Sequence, residues 1–199
     1  MDISFALLSG GNSTRFKSDK TKALLYGKPM YEYGINTGLS VSSDVMHISR
    51  DINKYKPFIK GVKYLADDLE NMCPMAGLIK AAECSKYDKI FILSADMPLF
   101  NKDIIIYFYE RFSNYDVILA EINCKYFPLA ALYKRDVLQS FIEDYQKGYY
   151  KIIKALDRFN INVISENELT SAGFNILSFS NVNYQSDLDQ IKKMGVFHG

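Results

Sequence analysis

Cysteine, proline and tryptophan are scarce in this chain. Its 199 residues include 3 Cys, 5 Pro and no Trp. The cysteines Cys73, Cys84 and Cys124 are odd in number, widely spaced and without a CxxC pair, which argues against a disulfide framework and a zinc site and favours a reducing compartment. A stable core must therefore come from the apolar side chains, which make up 48% of the residues.

An excess of charge of one sign is also missing. The 24 Lys and Arg residues nearly balance the 23 Asp and Glu residues. This balance argues against a general nucleic-acid binder or a membrane-surface binder. The apolar run at residues 3–8 is too short for a membrane span, and Asp2 stands where a signal peptide has basic residues. We expect a cytoplasmic protein that binds neither nucleic acid nor membrane, and in which any anion site is local.

Linkers, repeats and low-complexity segments are absent, so the sequence predicts a single domain over residues 1–199. Short apolar runs are predicted as buried strands at residues 3–8, 45–48, 62–65, 90–93 and 117–119. Apolar residues at helical spacing predict helices at residues 31–41, 75–84, 102–112 and 135–147. This alternation predicts an α/β fold, namely a Rossmann-like three-layer α/β/α arrangement around a mostly parallel sheet.

One edge of such a sheet is the expected place for chemistry. Right-handed crossovers bring the strand-to-helix loops together at the carboxyl ends of the strands, where open α/β sheets bind ligands. Residues 125–133 predict one more strand, which we expect to be antiparallel at the far side of the sheet.

The loop after the first strand has the composition of an anion site. It opens with Gly10 and Gly11, which let the backbone approach a ligand closely and turn its N–H groups toward an anion. Arg15 ends this segment and Lys22 follows, so cations come directly after the glycines. Each half of the pattern has an ordinary alternative, a tight turn for the glycines and a solvated basic loop for the cations. Together they predict a triphosphate cradle, although neither GxxxxGK[ST] nor GxGxxG is present.

Two aspartates follow predicted strands at the same edge. Asp96 comes after the strand at residues 90–93 and is held by Pro98, so its carboxylate is expected at the ligand edge as a magnesium ligand. Asp67 follows the strand at residues 62–65 and is expected to contact the nucleotide or support the metal, with Asp68 as the alternative.

These segments resemble a known family. Residues 8–16 (LSGGNSTRF) and 22–30 (KALLYGKPM) are similar to the glycine-loop signature of NTP-transferase domains, in the nucleotide-diphospho-sugar transferase superfamily. Residues 73–78 (CPMAGL), 94–99 (SADMPL), 127–133 (FPLAALY) and 180–188 (SNVNYQSDL) resemble the corresponding segments of molybdenum cofactor guanylyltransferases. The resemblance spans the whole chain.

The resemblance implies a nucleotidyltransferase-type fold and a specific reaction. GMP would pass from GTP to the phosphate of the molybdopterin cofactor, with Mg²⁺ as the cofactor and pyrophosphate as the second product. Arg15 and Lys22 would be catalytic and Asp96 would hold the metal. The resemblance implies the following nucleotide contacts: Leu8, Ser9, Gly10, Gly11, Arg15, Lys22, Asp67 and Asp96. Molybdoenzymes or cofactor-biosynthesis proteins would be the protein partners.

The chain departs from the family pattern at several positions. Lys17 and Cys73 replace glycines, and Ser49 with Arg50 replaces an Asn-Arg pair. Lys20 competes with Lys22 as the key lysine, because each matches one part of the family's motif.

Other functions and residues stay open at this point. A cytidylyltransferase of the same cofactor, a sugar-phosphate nucleotidyltransferase and a non-catalytic nucleotide-binding adaptor are the alternatives. The two histidines are interpreted as a strand-end residue, His47, and a terminal residue, His198.

Overall fold

The structure is a computed structural model that describes residues 1–10, 22–70 and 73–194. The strands within these ranges are β1 (Ser4–Ser9), β2 (Leu24–Leu25), β3 (Lys28–Pro29), β4 (Asp44–Ser49), β5 (Val62–Ala66), β6 (Lys89–Ser94), β7 (Val117–Ile122), β8 (Lys125–Lys134) and β9 (Ile161–Ser165). The α-helices are α1 (Met30–Val41), α2 (Pro74–Cys84), α3 (Lys102–Glu110), α4 (Arg135–Gln146), α5 (Ile152–Leu156), α6 (Glu166–Ser171) and α7 (Gln185–Met194). Across these ranges, no helix is both long and apolar enough to cross a membrane.

Seven of the strands form one sheet, in the order β5-β4-β1-β6-β8-β7-β9. The pairs β5-β4, β4-β1, β1-β6 and β7-β9 are parallel, and β8 is antiparallel to both of its neighbours. Strand β1 lies inside the sheet and is buried at all six positions, which explains its nearly unbroken apolar sequence. The predicted α/β fold with a mostly parallel sheet is confirmed.

Strand β8 has the predicted antiparallel direction but a different place in the sheet. It lies between β6 and β7, not at the far side. The reversal occurs in a two-residue turn at Asn123 and Cys124, whose φ angles are 51° and 58°. Two consecutive positive φ angles are typical of the turn that joins tightly paired antiparallel strands, so β7 and β8 are necessarily neighbours.

Alternating side chains of β1 divide the core between the two faces of the sheet. Phe5 and Leu7 pack in the cluster that includes Ile35 of α1 and Ile104 of α3. On the opposite face, Ala6 and Leu8 pack with residues of α2 and α4. Each fully buried Leu, Ile or Phe side chain contributes roughly 1.5–3 kcal/mol relative to an exposed one. The two helical layers therefore fix the sheet whose carboxyl edge carries the site.

A charged network closes the opposite edge, at the amino ends of β1 and β4. The buried carboxylate of Asp44 accepts hydrogen bonds from Ser4 Oγ at 2.6 Å and from the Lys86 N–H at 2.7 Å. Lys63 Nζ lies 2.6 Å from the same carboxylate. Burial opposes ionisation, but the hydrogen bonds from Lys63, Ser4 and Lys86 prevail and lower the pKa of Asp44. This network stabilises the fold far from the ligand edge.

Candidate functional site

A cavity of about 580 Å³, including its open mouth, lies at the carboxyl ends of β1, β4, β5 and β6. The residues that line it are Leu8, Gly10, Ile48, Ser49, Arg50, Asp67, Cys73, Pro74, Gly77, Ser94 and Leu129. The cavity therefore lies at the edge of the sheet where the sequence predicts chemistry.

The structure brings three of the predicted site residues together in this cavity. Leu8 and Gly10 come from the end of β1, and Asp67 comes from the residue after β5. Ser9 lies between the first two in sequence but is buried, with its hydroxyl 2.7 Å from Nε2 of His47. Its side chain therefore points into the core and not into this cavity.

The predicted cations are only partly described. Lys22 is exposed, next to the hairpin of β2 and β3. Gly11 and Arg15 lie outside the described residues, as do Lys17 and Lys20. Their roles stay predictions.

The carboxylate of Asp67 is held in an environment that disfavours its charge. Burial raises the pKa of Asp67, while a hydrogen bond from the Leu69 N–H and the positive charge of Arg50 oppose that effect. Its Oδ1 atom is buried and has no hydrogen-bond partner in the described part of the chain. An oxygen of this kind is satisfied when a ligand donates a hydrogen bond to it.

A second unsatisfied oxygen belongs to a neighbouring strand. Ser49 ends β4, is 2% exposed and also lines the cavity. Its Oγ has no hydrogen-bond partner among residues 1–10, 22–70 and 73–194. Buried polar atoms without partners are uncommon in folded proteins, so two of them among the residues of one cavity are a mark of a binding site.

Arg50 supports the wall of the cavity between β5 and α2. Its guanidinium donates to the carbonyl of Leu69 through one nitrogen and to that of Glu70, at 3.3 Å, through another. Arg50 also lines the cavity. Because the guanidinium is planar, two bonds to successive carbonyls fix both the position and the orientation of this wall.

Helix α2 presents its N-terminus to the same cavity. Pro74 occupies the first turn and Cys73 is the N-cap residue, in an extended conformation. Gly77 lies so close to Leu8 that an added Cβ would be 3.2 Å from its Cδ2 atom. The glycine thus lets the helix approach β1, and the positive end of the helix dipole favours an anion here.

Asp96 lies in the turn after β6, two residues beyond Ser94. The turn is anchored on one side by the Ala95 N–H, which donates to the Leu8 carbonyl at 2.9 Å. On the other side, the Asp96 carbonyl accepts from the Val182 N–H at 2.8 Å. The segment at residues 180–188 is thereby joined to the turn that carries Asp96.

A cation at Asp96 would need ligands from a bound substrate. Within the described ranges, no group of three or more His, Cys, Asp or Glu residues is arranged to hold a metal ion. A single carboxylate with phosphate oxygens and water is, however, a usual set of ligands for Mg²⁺. The donor chemistry at Asp96 fits a metal that arrives with a polyphosphate.

Sequence reasoning missed several residues of the cavity and misjudged one nearby. Ser49, Arg50 and Ser94 were missed, although each ends or follows a strand and the rule that ligands bind at the carboxyl ends of strands could have identified them. His47 was expected at a strand end but lies inside β4, because this strand continues to Ser49, and it is fully buried.

Comparison with known sequences agrees with the geometry. The family model described as the MobA-like NTP transferase domain matches residues 5–159. A protein of Aquifex aeolicus named as a probable molybdenum cofactor guanylyltransferase is 30% identical, over 93% of this chain and 88% of the relative. A protein of Bacillus licheniformis with the same name is 29% identical, over 94% of each chain.

Comparison with solved structures identifies the same fold. Molybdopterin-guanine dinucleotide biosynthesis protein A from Archaeoglobus fulgidus superimposes with a TM-score of 0.82, over 96% of this chain and 98% of that one. The two sequences are 20% identical, so this likeness concerns the fold alone.

Proposed function

Because the chain belongs to the MobA-like NTP transferase family, we propose that it transfers GMP from GTP to the phosphate of the molybdopterin form of the molybdenum cofactor. An oxygen of the acceptor phosphate attacks the α-phosphorus of GTP in line. The bond from that phosphorus to the oxygen bridging to the β-phosphate breaks, and pyrophosphate leaves. The products are molybdopterin guanine dinucleotide and pyrophosphate.

The observation that carries this proposal is the cavity with its unsatisfied carboxylate. Asp67 Oδ1 accepts a hydrogen bond from an N–H or O–H of the nucleoside, which supplies the partner that this buried oxygen lacks among the described residues. Leu8 and Gly10, from the end of β1, line the same cavity. The nucleoside thus binds between the end of β1 and the end of β5.

The polyphosphate lies over the glycine loop in this proposal. The N–H groups of Gly10 and Gly11, with Arg15 and Lys22, neutralise the phosphates, and the N-terminus of α2 adds its dipole. Nucleotidyltransferases call for a divalent cation, and we propose Mg²⁺, held by Asp96. The cation would supply positive charge to the phosphate oxygens.

Catalysis then consists of positioning and charge neutralisation. The acceptor phosphate is already largely ionised at neutral pH, so the protein needs neither a nucleophile nor a general base of its own. The cavity fixes the nucleoside, and the cationic loop fixes the phosphates, so that the acceptor oxygen and the α-phosphorus meet in line. The acceptor approaches from the side of Asp96 and the segment at residues 180–188, which the Val182 hydrogen bond joins to it.

The setting of the reaction is part of the proposal. GTP and the molybdopterin cofactor are the substrates, and residues 1–199 act as one nucleotidyltransferase domain. We place the protein in the cytoplasm, with molybdoenzymes or other cofactor-biosynthesis proteins as its partners.

The test is a transfer assay with purified protein, extracted molybdopterin cofactor, Mg²⁺ and each of the four NTPs. Pyrophosphate and the guanine dinucleotide should form with GTP, and Lys22→Ala or Asp96→Ala should lower turnover by about a hundredfold or more without unfolding the protein. Transfer from CTP instead of GTP would identify a cytidylyltransferase. Nucleotide-dependent stabilisation without pyrophosphate release would identify an adaptor, and either result would overturn the proposal.

A further inference from the structure

A buried hydrogen bond lies directly beneath the start of the glycine loop. Ser9 Oγ, at the last position of β1, is 2.7 Å from Nε2 of His47 on β4. Ser9 is 3% exposed and His47 is 0% exposed. Serine and histidine are costly to bury, so a pair of this kind at the margin of a binding site calls for an explanation.

Aromatic rings surround the imidazole of His47. The Tyr31 ring stacks on it with centroids 5.4 Å apart, and the rings of Tyr55 and Tyr64 approach it at 4.3 and 5.3 Å. Its Nδ1 atom has no hydrogen-bond partner in the described part of the chain. Among the described residues, the imidazole thus makes its side-chain hydrogen bond through Nε2 to Ser9. The three tyrosines pack around the ring and hold it in one orientation.

The partner of this ring is the residue where β1 passes into the loop. Ser9 is opposite Ser49 in the parallel pairing of β1 with β4. The residue before it, Leu8, lines the cavity and receives the hydrogen bond of Ala95, and the residue after it, Gly10, lines the cavity too. A shift of Ser9 would move the peptide groups on both sides of it.

Building on the function proposed above, we propose that His47 is a positioning residue for the phosphate-binding loop. The ring fixes Ser9 Oγ, and Ser9 fixes the peptide groups of its neighbours Leu8 and Gly10, where β1 passes into the loop. His47 itself touches neither substrate nor metal. A displacement of about 1 Å in the groups that hold a reacting phosphate can lower the rate by about a hundredfold. A residue that fixes the position of Ser9 can therefore have a large effect on the rate without touching the substrate.

The positioning role of the Ser9–His47 contact can be distinguished from a purely structural role, because a second side-chain hydrogen bond joins β1 to β4 at the other end of the two strands. Ser4 Oγ donates to the Asp44 carboxylate at 2.6 Å, between the same two strands. Both serines are buried, and both join β1 to β4 through a side chain. Ser4→Ala is therefore the control for Ser9→Ala: each removes one such bond, and Ser4 lies at the edge away from the cavity.

The experiment compares Ser9→Ala, His47→Phe, their double variant, His47→Gln and Ser4→Ala. Phenylalanine preserves a ring among the tyrosines and removes the hydrogen bond, while glutamine keeps a polar side chain that can reach Ser9. For each variant, calorimetry gives the affinities for Mg²⁺-GTP and for GMP, and denaturant unfolding gives the stability. The ratio of the two affinities reports on the loop that holds the β- and γ-phosphates and needs no turnover.

We expect Ser9→Ala and His47→Phe each to lower the affinity for Mg²⁺-GTP more than the affinity for GMP, so that the ratio of the two affinities falls about tenfold. The double variant should be no worse than either single variant, because both remove the same bond. His47→Gln should recover part of the ratio, and Ser4→Ala should lower stability without changing it.

Three results would overturn the positioning role. The first is an unchanged affinity ratio in Ser9→Ala and His47→Phe, and the second is an equal change of the ratio in Ser4→Ala. The third is additive losses in the double variant, which would mean that Ser9 contacts the nucleotide independently of His47. If the wild type binds GTP but transfers nothing, the proposed function fails while the affinity ratio still decides the role of His47. If the wild type binds no nucleotide, both fail.

Discussion

The backbone N–H of Asp67 donates a hydrogen bond of 3.1 Å to the carbonyl of Ser49. The parallel pairing of β4 with β5 ends at Ser49 and Ala66, so this bond continues the ladder by one residue. It places Asp67 at the cavity together with Ser49. The two unsatisfied oxygens of the cavity are therefore fixed by the sheet itself and not by a mobile loop.

Asp67→Asn is predicted to weaken GTP binding about tenfold, because a charge-assisted hydrogen bond to the nucleoside is lost. Stability should stay the same or rise, since burial disfavours the charge that the substitution removes. Calorimetric titration with Mg²⁺-GTP measures the first effect and urea unfolding the second.

Asp68→Asn is the control for that variant. The Asp68 side chain is 72% exposed and lies 3.6 Å from Lys80. We expect no change in GTP affinity. An equal loss in both variants would mean that charge at this edge matters but that Asp67 has no specific role.

Arg50→Ala is predicted to lower GTP affinity several-fold, to about a fifth of the wild-type value, because the wall at Leu69 and Glu70 loses its two guanidinium bonds. Arg50→Lys should recover little, since an ammonium cannot make the paired contacts of a guanidinium. Arg111, whose guanidinium donates to the Tyr107 carbonyl of α3 at 3.3 Å, provides the control variant Arg111→Ala. Unchanged affinity in Arg50→Ala would show that the wall holds without the arginine.

Acid should destabilise the protein partly through His47. Burial, with a smaller effect of Lys54, lowers the pKa of His47 from 6.5 to about 3. Between about pH 6.5 and pH 3, His47 therefore binds a proton in the unfolded chain but not in the folded chain. The contribution of neutral His47 to the free energy of unfolding is complete above about pH 6.5 and is lost as the pH falls toward 3. Its full size is at most about 5 kcal/mol.

The matched variant is His47→Phe, which removes the titrating group. Between pH 5 and 4, its free energy of unfolding should fall less steeply than that of the wild type, by about 1.4 kcal/mol per pH unit. The facing tyrosines leave this window unaffected, since burial raises the pKa of Tyr31 to about 12 and that of Tyr64 above its ordinary value. Parallel curves for the two proteins would contradict the assignment.

Asp44→Asn should cost about 3 kcal/mol of stability and leave GTP affinity unchanged. The substitution breaks the contact with Lys63 and disturbs the bonds from Ser4 and Lys86, at the edge of the sheet away from the cavity. Since the pKa of Asp44 is lowered, its contribution is present above about pH 4 and is lost as the pH falls further. Denaturant unfolding at pH 7 and pH 3 tests both statements, and an affinity change above twofold would show that the two edges are coupled.

Strongly apolar segments were the ones that the sequence predicted well. Strand β1 is buried on both faces, so its pattern is a continuous apolar run. Strand β9 is mostly half-buried and has fewer apolar residues, and the hairpin strands β2 and β3 have two residues each. None of these three strands gave a clear signal in the sequence. Burial on two faces is what makes a short strand visible in a sequence.

The site was predictable where it follows parallel strands. Asp67 and Gly10 were found because the carboxyl ends of parallel strands meet at one edge. Leu129 was not, because β8 runs the other way: Ala130 pairs with Leu93, so Leu129 reaches the cavity from the first half of its strand. The contact of Ser9 with His47 depends on which face each side chain occupies, and the sequence alone did not place them together.

The most direct test of the account is a crystal structure of the protein with Mg²⁺ and GTP in the absence of the acceptor. We predict the nucleoside in the cavity between Leu8 and Asp67, with a donor of the nucleoside within hydrogen-bond distance of Asp67 Oδ1. The triphosphate should lie over the loop after Gly10, with the metal at Asp96. A nucleotide bound elsewhere, with Asp67 and Asp96 free of it, would contradict the central claim.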